Sequence, residues 1–277
     1  MKTRSALSGR QRTKFTEVAL QAAKTAGSVL NKYLWGRAIN TQWLKARNDL
    51  VTTADLESCR VIKKHLKVAF SGHSFLFEEP EFTEDNHSEY LWIIDPLDGT
   101  TFHNRGLPFF SVIIALQVKD AIEFGLAYAP FTEDVFIAWR GGGSFQWNHR
   151  FRVRRRLHVS NVKILSEAVI GYSHGKSEAH LEEISLTLRK LMPACRAFTR
   201  IAGADIGYVA GGRCDVFIDN SSTPWDFAAL ALMVREAGGT VTDYGGRNWN
   251  LGSKSILVSN KALHPQILEF VKRDRTA

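Results

Sequence analysis

Two aspartates stand three positions apart at the end of an apolar stretch, in Trp92-Ile93-Ile94-Asp95-Pro96-Leu97-Asp98-Gly99-Thr100-Thr101. Their carboxylates can meet at one point if the chain turns sharply, and Pro96 and Gly99 favour such a turn. The backbone N–H groups of Gly99 and Thr100 could then face an anion at the start of a helix. On these ten residues alone, a polar turn in which Asp98 only caps a short helix is an equal alternative.

Further acids also stand at the ends of predicted elements. Glu78 and Glu79 follow the apolar segment 74–77 at the carboxyl end of a strand, where α/β proteins place ligand sites. Asp226 opens a predicted helix and Asp55 stands in a similar position, although each could serve only as a helix cap. Clustered carboxylates repel one another unless a cation lies between them. Because these are hard oxygen ligands without a histidine or cysteine cluster, the pattern favours Mg²⁺ over zinc.

Longer segments resemble the inositol monophosphatase family of Mg²⁺-dependent, lithium-sensitive phosphatases, and the similarity extends from the first helix to Val258. They are residues 92–101, residues 225–229 continuing through Glu236-Ala237-Gly238-Gly239, and Asp49-Leu50-Val51-Thr52-Thr53-Ala54-Asp55. Two long signatures in the right order and spacing are much stronger evidence than a short motif. The resemblance implies an α/β (α+β) fold, a layered α-β-α-β-α sandwich. It also implies Mg²⁺-dependent hydrolysis of a small phosphate monoester, with inositol 1-phosphate as the first candidate.

The resemblance further implies ligands for two to three Mg²⁺ ions. Glu78, Asp95 and the carbonyl of Leu97 would hold one ion. Asp95 would also hold a second ion, together with Asp98 and Asp226, so that Asp95 bridges the pair. A third, weaker ion would lie near Glu78 through water.

In the same resemblance, water is the nucleophile. Asp55 and Thr100 would orient and deprotonate the attacking water, and the amides of Gly99 and Thr100 would receive the phosphate. The expected substrate-binding residues are Asp98, Gly99, Thr100, Gly203, Ala204, Asp205, Asp219 and Asp226. Mg²⁺ would cancel charge on the phosphate and lower the pKa of the water, so no nucleophilic side chain is needed.

Departures from the family pattern leave the substrate open. Phe77 stands where the family usually has glycine, which should narrow the approach beside Glu78. Asp205 replaces a small neutral residue, and Asp219 stands where inositol phosphatases tend to carry glutamate. Histidinol phosphate, 3′-phosphoadenosine 5′-phosphate and fructose 1,6-bisphosphate are therefore alternative substrates for the same metal core.

Positive charge is concentrated in two segments of the 277-residue chain. The chain has 36 lysines and arginines against 28 acids, a net charge of +8. Residues 1–14 and 140–156 contain eleven of these basic residues and no acid, so the rest of the chain is slightly acidic. The run 150–156 favours a solvent-exposed edge strand, with a second substrate phosphate or RNA as the alternative role. Because some bacterial relatives act in transcription complexes, RNA binding is a second class of function, which the sequence permits but does not favour.

The remaining composition is that of an ordinary globular protein, with 44% hydrophobic residues, and excludes a disordered chain. Three cysteines without C-x-x-C spacing favour a reducing compartment, and no apolar run fits a secretory leader or a membrane span. We therefore expect a cytoplasmic protein. The expected organisation is a basic tail (1–14), an N-terminal α+β lobe (15–159) and a C-terminal α/β lobe (160–277) that closes the site. The resemblance implies a homodimer.

Hydrophobic periodicity predicts helices at 15–34, 55–70, 178–191, 203–210, 226–237 and 263–273. Strands are predicted at 75–77, 91–94, 112–118, 122–128, 135–139, 151–153, 168–170, 216–218, 240–242 and 256–258. Several of the earlier strands alternate polar and apolar residues, which predicts an antiparallel sheet with one covered face.

One short motif points to a different enzyme. Gly171-Tyr172-Ser173-His174-Gly175 matches the nucleophile elbow of serine hydrolases, with His264 as the last member of a triad. Ser177, however, is the expected N-cap of the next helix, four residues beyond Ser173. A metal-independent esterase is therefore the weaker alternative.

Overall fold

The computed structural model describes residues 7–36, 40–46, 49–148, 150–200 and 206–273. The helices in these ranges are α1 (Gly9–Leu34), α2 (Thr53–Ala69), α3 (Thr100–Asn104), α4 (Glu178–Leu191), α5 (Ile206–Ala210), α6 (Pro224–Glu236) and α7 (His264–Arg273). The strands are β1 (Gln42–Ala46), β2 (Asp49–Thr52), β3 (Ser74–Phe77), β4 (Tyr90–Asp98), β5 (Ser111–Val118), β6 (Ala121–Ala129), β7 (Asp134–Trp139), β8 (Gly143–Asn148), β9 (Val153–Arg156), β10 (Val169–Tyr172), β11 (Ala197–Arg200), β12 (Val216–Asp219), β13 (Thr240–Thr242) and β14 (Ile256–Ser259).

The elements stack in five layers. Helices α1 and α2 cover one face of a seven-stranded sheet of order β3-β4-β5-β6-β7-β8-β9. Helices α5 and α6 lie between this sheet and a five-stranded sheet of order β11-β10-β12-β14-β13. Helices α4 and α7 pack on the outer face of the smaller sheet. The predicted α-β-α-β-α sandwich is therefore confirmed.

Helix α1 begins earlier than its apolar pattern predicts. Ser8 is its N-cap and forms a capping box with Gln11, so the helix starts at Gly9 rather than at residue 15. Ala19, Ala22 and Ala26 form a fully buried stripe, and such small side chains let the helix lie close to the sheet. Part of the basic segment 1–14 is thus helical, and residues 1–6 lie outside the described ranges.

The large sheet is buried on both faces at its centre, so the prediction of one covered face is wrong. In β5, Val112 and Ile114 pack in the core beneath α1 and α2, whereas Ile113 and Ala115 pack in the core beneath α6. Helix α6 can fill the space between two sheets because every residue from 227 to 234 is buried. Successive side chains of β5 therefore point alternately into two cores, and not alternately into a core and into solvent.

Most predicted elements are confirmed, and α4 and β13 have the predicted bounds. The strand predicted at 151–153 is wrong, since β8 ends at Asn148 and β9 begins at Val153. Strands β1, β2, β8 and β11 were not predicted. The described side chains of β1 and β11 are largely exposed and give no apolar pattern. Within the predicted helix 203–210, residues 203–205 lie outside the described part of the chain.

No helix in the described ranges is long and apolar enough to cross a membrane. The core between the two sheets contains side chains from both halves of the chain, among them Phe136 of β7 and Phe217 of β12. The division into a tail and two lobes at residues 14 and 159 stays a prediction.

Candidate active site

Strand β4 carries both aspartates of the first signature, and a bulge sets their directions. Asp95 pairs with Ile113 and Asp98 pairs with Ser111, so three steps along β4 match two steps along β5. In a regular strand, residues three positions apart point to opposite faces, and one extra residue brings them to the same side. Pro96 explains the irregularity because it has no N–H to donate to the ladder. The predicted sharp turn is therefore a bulge inside a continuing strand.

Hydrogen bonds inside the molecule hold the bulge in place. The N–H of Leu97 donates to Asp95 Oδ1 at 2.9 Å, and the Ser58 hydroxyl of α2 donates to the Pro96 carbonyl at 2.8 Å. Asp95 and Ser58 are both buried, so each bond satisfies a polar group that water cannot reach. The backbone around Asp95 is thus fixed by contacts with α2.

Gly99 ends the strand and starts α3. Its φ of 89° lies in the left-handed region, and a Cβ at this position would lie 2.4 Å from the Phe109 carbonyl oxygen. Gly99 is the N-cap residue of α3, and no side chain caps this helix. The alternative in which Asp98 serves as the cap is therefore wrong.

Asp55 and Thr100 are brought together across 45 residues. Thr52 donates to Asp55 Oδ2 from its N–H at 2.8 Å and from its hydroxyl at 2.6 Å, as in a capping box for α2. The Thr100 hydroxyl lies 3.0 Å from Asp55 Oδ1 and 3.0 Å from the Leu97 carbonyl oxygen. Since a hydroxyl has one hydrogen, it can donate to only one of these acceptors at a time. Asp55 therefore takes part in capping α2, as the capping interpretation predicted, and it is also hydrogen-bonded to Thr100.

Burial has a large effect on the Asp55 carboxyl. Its side chain is 1% exposed, and burial raises its pKa to about 6 despite the hydrogen bonds from Thr52 and Thr100. The negative charge of Glu79 raises the pKa further. A carboxylate with this pKa can accept a proton near neutral pH more readily than an ordinary aspartate.

Glu78 and Glu79 follow β3 at the same end of the sheet. The N–H of Glu78 donates to the Ile94 carbonyl at 3.1 Å, which places Glu78 beside the end of β4. Lys45 of β1 lies 2.7 Å from Glu79 Oε1 and 3.5 Å from Glu78 Oε1. Burial raises the pKa of Glu79, and Lys45 opposes that shift. Lys45 was not predicted as a site residue, because a lysine on a short exposed strand has no distinctive spacing.

Asp226 reaches the same region from α6. Thr223 is the N-cap of α6 and accepts from the Asp226 N–H at 3.4 Å, so Asp226 is not the capping residue. Pro224 at the first helical position fits the same helix start. The carboxylate of Asp226 lies in the first turn of α6, at the end of the helix nearest β4.

The charges of these acids act on one another. Burial and the charges of Glu78, Asp98 and Asp226 raise the pKa of Asp95 well above its ordinary value. Burial and the charges of Asp98 and Glu78 likewise raise the pKa of Asp226 well above its ordinary value. Within the described residues, no three acidic, histidine or cysteine side chains form a complete metal-ligand set as they stand. The four carboxylates nevertheless share one electrostatic environment, contributed by three separate parts of the chain.

The remaining predicted site residues have mixed outcomes. Asp219 is buried at the end of β12 and accepts from the Ser221 N–H at 2.5 Å. Gly203, Ala204 and Asp205 lie outside the described residues. The expectation that Phe77 narrows the approach beside Glu78 is wrong, because its side chain is 1% exposed and packs with Phe82 in the core beneath α1 and α2.

The esterase motif does not form a nucleophile elbow. Strand β10 ends at Tyr172 and α4 begins at Glu178, with Ser177 as its N-cap, as predicted. His264 is buried elsewhere and is hydrogen-bonded to Thr242 and Ser259. Ser173 is therefore not activated by His264.

Strand β9 is the edge of the large sheet, which confirms an edge role for the basic run although its bounds differ. Arg154 and Arg156 are exposed, and their guanidinium groups lie over the rings of Trp147 and Phe145 on β8. Arg155 Nε donates to Gln146 at 2.9 Å. The sequence did not predict these aromatic partners, because they come from a neighbouring strand.

Comparison with known proteins gives consistent relatives over nearly the whole chain. An inositol-1-monophosphatase of Mesorhizobium japonicum is 35% identical over 269 residues, covering 96% of this chain and 99% of that protein. The Nus factor SuhB of Pasteurella multocida is 34% identical and covers 92% of this chain and 94% of its own length. The crystal structure of the extragenic suppressor protein suhB from Bartonella henselae is 35% identical with a TM-score of 0.85, over 94% of this chain and 98% of that one.

The layered fold and these relatives define the class of protein, a phosphatase of the five-layer sandwich type. The chain belongs to the inositol monophosphatase family, whose sequence model matches residues 11–275. The resemblance of the signature segments is therefore confirmed. Proteins of this family are generally metal-dependent.

Proposed function

We propose that this protein hydrolyses a small phosphate monoester with the help of Mg²⁺, and that inositol 1-phosphate is its principal substrate. The observation that carries the proposal is the closeness of four acids, since the charges of Glu78 and Asp98 raise the pKa of both Asp95 and Asp226. Such a group is unfavourable by itself and becomes favourable when divalent cations balance its charge.

The donor set fits Mg²⁺. It consists of carboxylate oxygens and the Leu97 carbonyl, and Mg²⁺ prefers hard oxygen ligands. Glu78, Asp95 and Leu97 would hold one ion, and Asp95, Asp98 and Asp226 a second, with a third near Glu78. Bound there, Mg²⁺ would neutralise charge on the phosphate and lower the pKa of the attacking water.

The protein's own groups would position and deprotonate that water. Thr100 Oγ1 can accept a hydrogen bond from water while its own hydrogen is donated to Asp55. Asp55 has its other oxygen held by Thr52, so its orientation toward Thr100 is fixed. The proton leaving the water can thus pass through Thr100 to Asp55, whose raised pKa suits a general base. Gly99 gives the backbone the conformation in which the start of α3 can face the phosphate.

A panel of four phosphate esters tests the proposal. Phosphate release is measured for inositol 1-phosphate, histidinol phosphate, 3′-phosphoadenosine 5′-phosphate and fructose 1,6-bisphosphate, with and without Mg²⁺ and Li⁺. We expect release that requires Mg²⁺, is inhibited by Li⁺, and has its highest kcat/KM with inositol 1-phosphate. Activity that persists in EDTA contradicts the metal mechanism, and a higher kcat/KM for another ester corrects the substrate.

A homodimer in the cytoplasm belongs to the same proposal. The family resemblance supports the dimer, and sedimentation equilibrium tests it through the mass in solution, since the chain is 31.1 kDa.

A second candidate function is binding of RNA through β8 and β9. Three arginines of β9 are exposed on the sheet edge, and a cavity of about 400 Å³ beside them is lined by Trp147, Asn148, Arg152, Val153 and Arg154. Arginine and aromatic side chains together can bind phosphates and stack on bases. One relative is named a Nus factor, which supports this candidate.

The RNA candidate is tested by binding to single-stranded RNA at several salt concentrations. We expect a steep salt dependence, and a large loss of affinity when Arg154, Arg155 and Arg156 are replaced by alanine. Replacing Lys119, Arg189 and Lys261 by alanine is the control with equal charge loss. If both triple variants bind alike, β9 is not a specific RNA surface.

A further inference from the structure

Helix α3 carries Thr100 but is too short to be stable by itself. It has five residues, Thr100–Asn104, and no side chain caps its N-terminus. Isolated helices of this length do not persist in water, so tertiary contacts must fix them. The place of the Thr100 hydroxyl beside Asp55 therefore depends on the groups that anchor α3 to the rest of the molecule.

One anchor is the side chain of His103, in the last turn of α3. His103 is 2% exposed, and its Nε2 lies 2.9 Å from the carbonyl oxygen of Leu30 in α1. Because a carbonyl oxygen can only accept, Nε2 carries a hydrogen and donates it. Leu30 is fully buried in the core beneath α1 and α2. This hydrogen bond therefore ties α3 to a buried part of a long helix.

The His103 ring is also held by the segment before β5. It meets the ring of Phe110 edge to face, with 4.8 Å between the centroids. Phe110 is 1% exposed and directly precedes β5. The carbonyl oxygen of the neighbouring Phe109 is the group that lies against Gly99. The side chain of His103 is thus fixed by two elements that do not belong to α3.

The backbone of His103 transmits this position to Thr100. The N–H of His103 donates to the Gly99 carbonyl at 3.0 Å, a helical hydrogen bond at the start of α3. That carbonyl belongs to the planar peptide group that joins Gly99 to Thr100. Fixing the carbonyl therefore fixes the plane from which the Thr100 side chain extends. The Thr100 hydroxyl lies 3.0 Å from Asp55 Oδ1, and a shift of about 1 Å would break this hydrogen bond.

The other ring nitrogen indicates that packing alone does not explain this histidine. His103 Nδ1 is buried and has no hydrogen-bond partner among the described residues. Burial lowers the pKa of His103, although the hydrogen bond to Leu30 opposes the shift, so the ring is neutral at neutral pH. Nδ1 is then an unpaired acceptor, which costs stability. A phenylalanine ring would fill a similar space without that cost, so the distinctive contribution of the histidine is its Nε2 donor.

We propose that His103 is a positioning residue, which holds α3 against α1 so that the Thr100 hydroxyl stays beside Asp55. The inference rests on the proposed function, in which Thr100 and Asp55 act on the attacking water. It adds a residue that acts on the reaction only through Thr100, and that should affect the rate of the chemical step more than the binding of phosphate or Mg²⁺.

Three replacements of His103 separate its donor from the shape of its ring. His103→Phe keeps an aromatic ring beside Phe110 but cannot donate to Leu30, and His103→Leu removes the ring as well. The side-chain amide of glutamine can place an N–H close to the position of Nε2, so His103→Gln should restore the donor. Each variant is assayed well below its own melting temperature, so that the kinetics describe folded protein.

His73→Phe is the matched control. His73 Nδ1 accepts from Trp92 Nε1 at 3.0 Å, and its ring stacks on Tyr90. Both partners lie in the first turns of β4, at the end of the strand opposite to Asp98. The control therefore loses one histidine hydrogen bond and keeps an aromatic ring, but away from the acidic site.

Kinetics are measured at saturating Mg²⁺ with inositol 1-phosphate and with p-nitrophenyl phosphate. We expect His103→Phe and His103→Leu to lower kcat about tenfold with both esters, because the lost anchor displaces Thr100. KM and the inhibition constant of inorganic phosphate should stay within about twofold. The rise in melting temperature with Mg²⁺ should also be unchanged, since the proposed ligands lie on other elements. His103→Gln should recover most of kcat, and His73→Phe should keep the wild-type value.

The outcomes distinguish this inference from the proposed function. If the wild type is active and His103→Phe has the same kcat, the inference is overturned and the phosphatase proposal stands. An equal loss of kcat in His103→Gln and His103→Phe, or in His73→Phe, also overturns it, as does loss of the fold in both variants without the donor. If the wild type hydrolyses no phosphate ester with Mg²⁺, the proposed function fails and this inference fails with it.

Discussion

The Asp95 side chain combines burial with the repulsion of three neighbouring acids. It is 2% exposed, and it accepts a hydrogen bond from the backbone N–H of Leu97, two residues away. Both burial and the nearby charges favour its protonated form in the absence of a cation. A residue placed so unfavourably for stability alone is typical of a ligand site.

Asp95→Asn should reduce Mg²⁺-dependent phosphate release by about 100-fold or more, since replacing even an outer-shell partner of a metal ligand costs 10- to 100-fold. The amide keeps the shape of the side chain but lacks the charge that binds a cation. Phosphate release at saturating Mg²⁺ measures the effect. Asp120→Asn, at an exposed aspartate, is the control and should keep full activity. Near-normal activity of Asp95→Asn would refute the metal site.

Asp55 makes stability depend on pH. Its pKa is about 6 in the folded protein and lower in the unfolded chain, so folding favours its protonated form. The stabilisation from the bound proton is complete at low pH and is lost as the pH rises through about 6. Burying the charged form then costs about 3 kcal/mol.

We therefore expect the effect of Asp55→Asn on the free energy of unfolding to depend on pH. The change that it causes should be more stabilising at pH 8 than at pH 4.5, by about 2 to 3 kcal/mol. Urea unfolding of the metal-free protein in EDTA at the two pH values measures this difference. The same variant should lose most phosphate release, because the proton acceptor for Thr100 is gone. An equal effect on unfolding at both pH values would contradict the raised pKa.

Strand β4 and helix α3 form the backbone frame of the site. The bulge at Pro96 turns Asp95 and Asp98 to one side, and the left-handed Gly99 then starts a helix immediately. The Phe109 carbonyl oxygen lies so close to Gly99 that any side chain at this position would clash with it. The frame requires the residue types of Pro96 and Gly99. The contacts that orient Asp95 and Asp98 come from β5 and from the loop before it, which contains Phe109.

Gly99→Ala should destabilise the fold and disrupt the site for two reasons. The added Cβ would clash with the Phe109 carbonyl oxygen, and alanine is strained at the left-handed φ of this position. Gly106→Ala is the matched control, since Gly106 has a φ of 72° but no atom within 4 Å of the added Cβ. We expect a loss of about 1 kcal/mol for Gly106→Ala and clearly more for Gly99→Ala. Urea unfolding measures both, and equal losses would show that the close approach is unimportant.

Across the whole molecule, α6 joins the two sheets to the acidic site. Its residues pack against β4 to β8 on one side and against β13 and β14 on the other. Asp226 stands at one end of this buried helix, and Glu236 at the other end accepts from the N–H groups of Gly141 and Gly143. The proposed ligands thus come from layers that meet only in the folded chain, so metal binding and folding should be coupled.

Mg²⁺ should therefore raise the melting temperature of the wild-type protein. A concentration 100 times the dissociation constant stabilises by about 2.7 kcal/mol, which for a chain of this size is several degrees. The shift should be larger at pH 8 than at pH 5, because protons compete with Mg²⁺ for Asp95 and Asp226. Thermal scans with MgCl₂ and with EDTA measure it, and Asp95→Asn should lose most of the shift. An unchanged shift in that variant would place the ions elsewhere.

The amino-acid sequence by itself determined the family, the layered fold and most of the elements. The apolar periodicity of α4 and the signature around Asp95 are local patterns, and local patterns specify backbone preferences and residue types. The sequence also placed the positive charge of β9 on a sheet edge, outside the acidic signatures.

Only the tertiary structure decided how these parts meet. It showed that the Phe77 side chain is buried in the core and that Asp55 is hydrogen-bonded to Thr100. It also showed that the chain forms a bulge at Pro96 and not a sharp turn. It also showed that α6 covers the second face of the large sheet, so that both faces of β5 are buried. Each of these facts depends on contacts between residues far apart in the chain, where packing and burial outweigh the preferences of single segments.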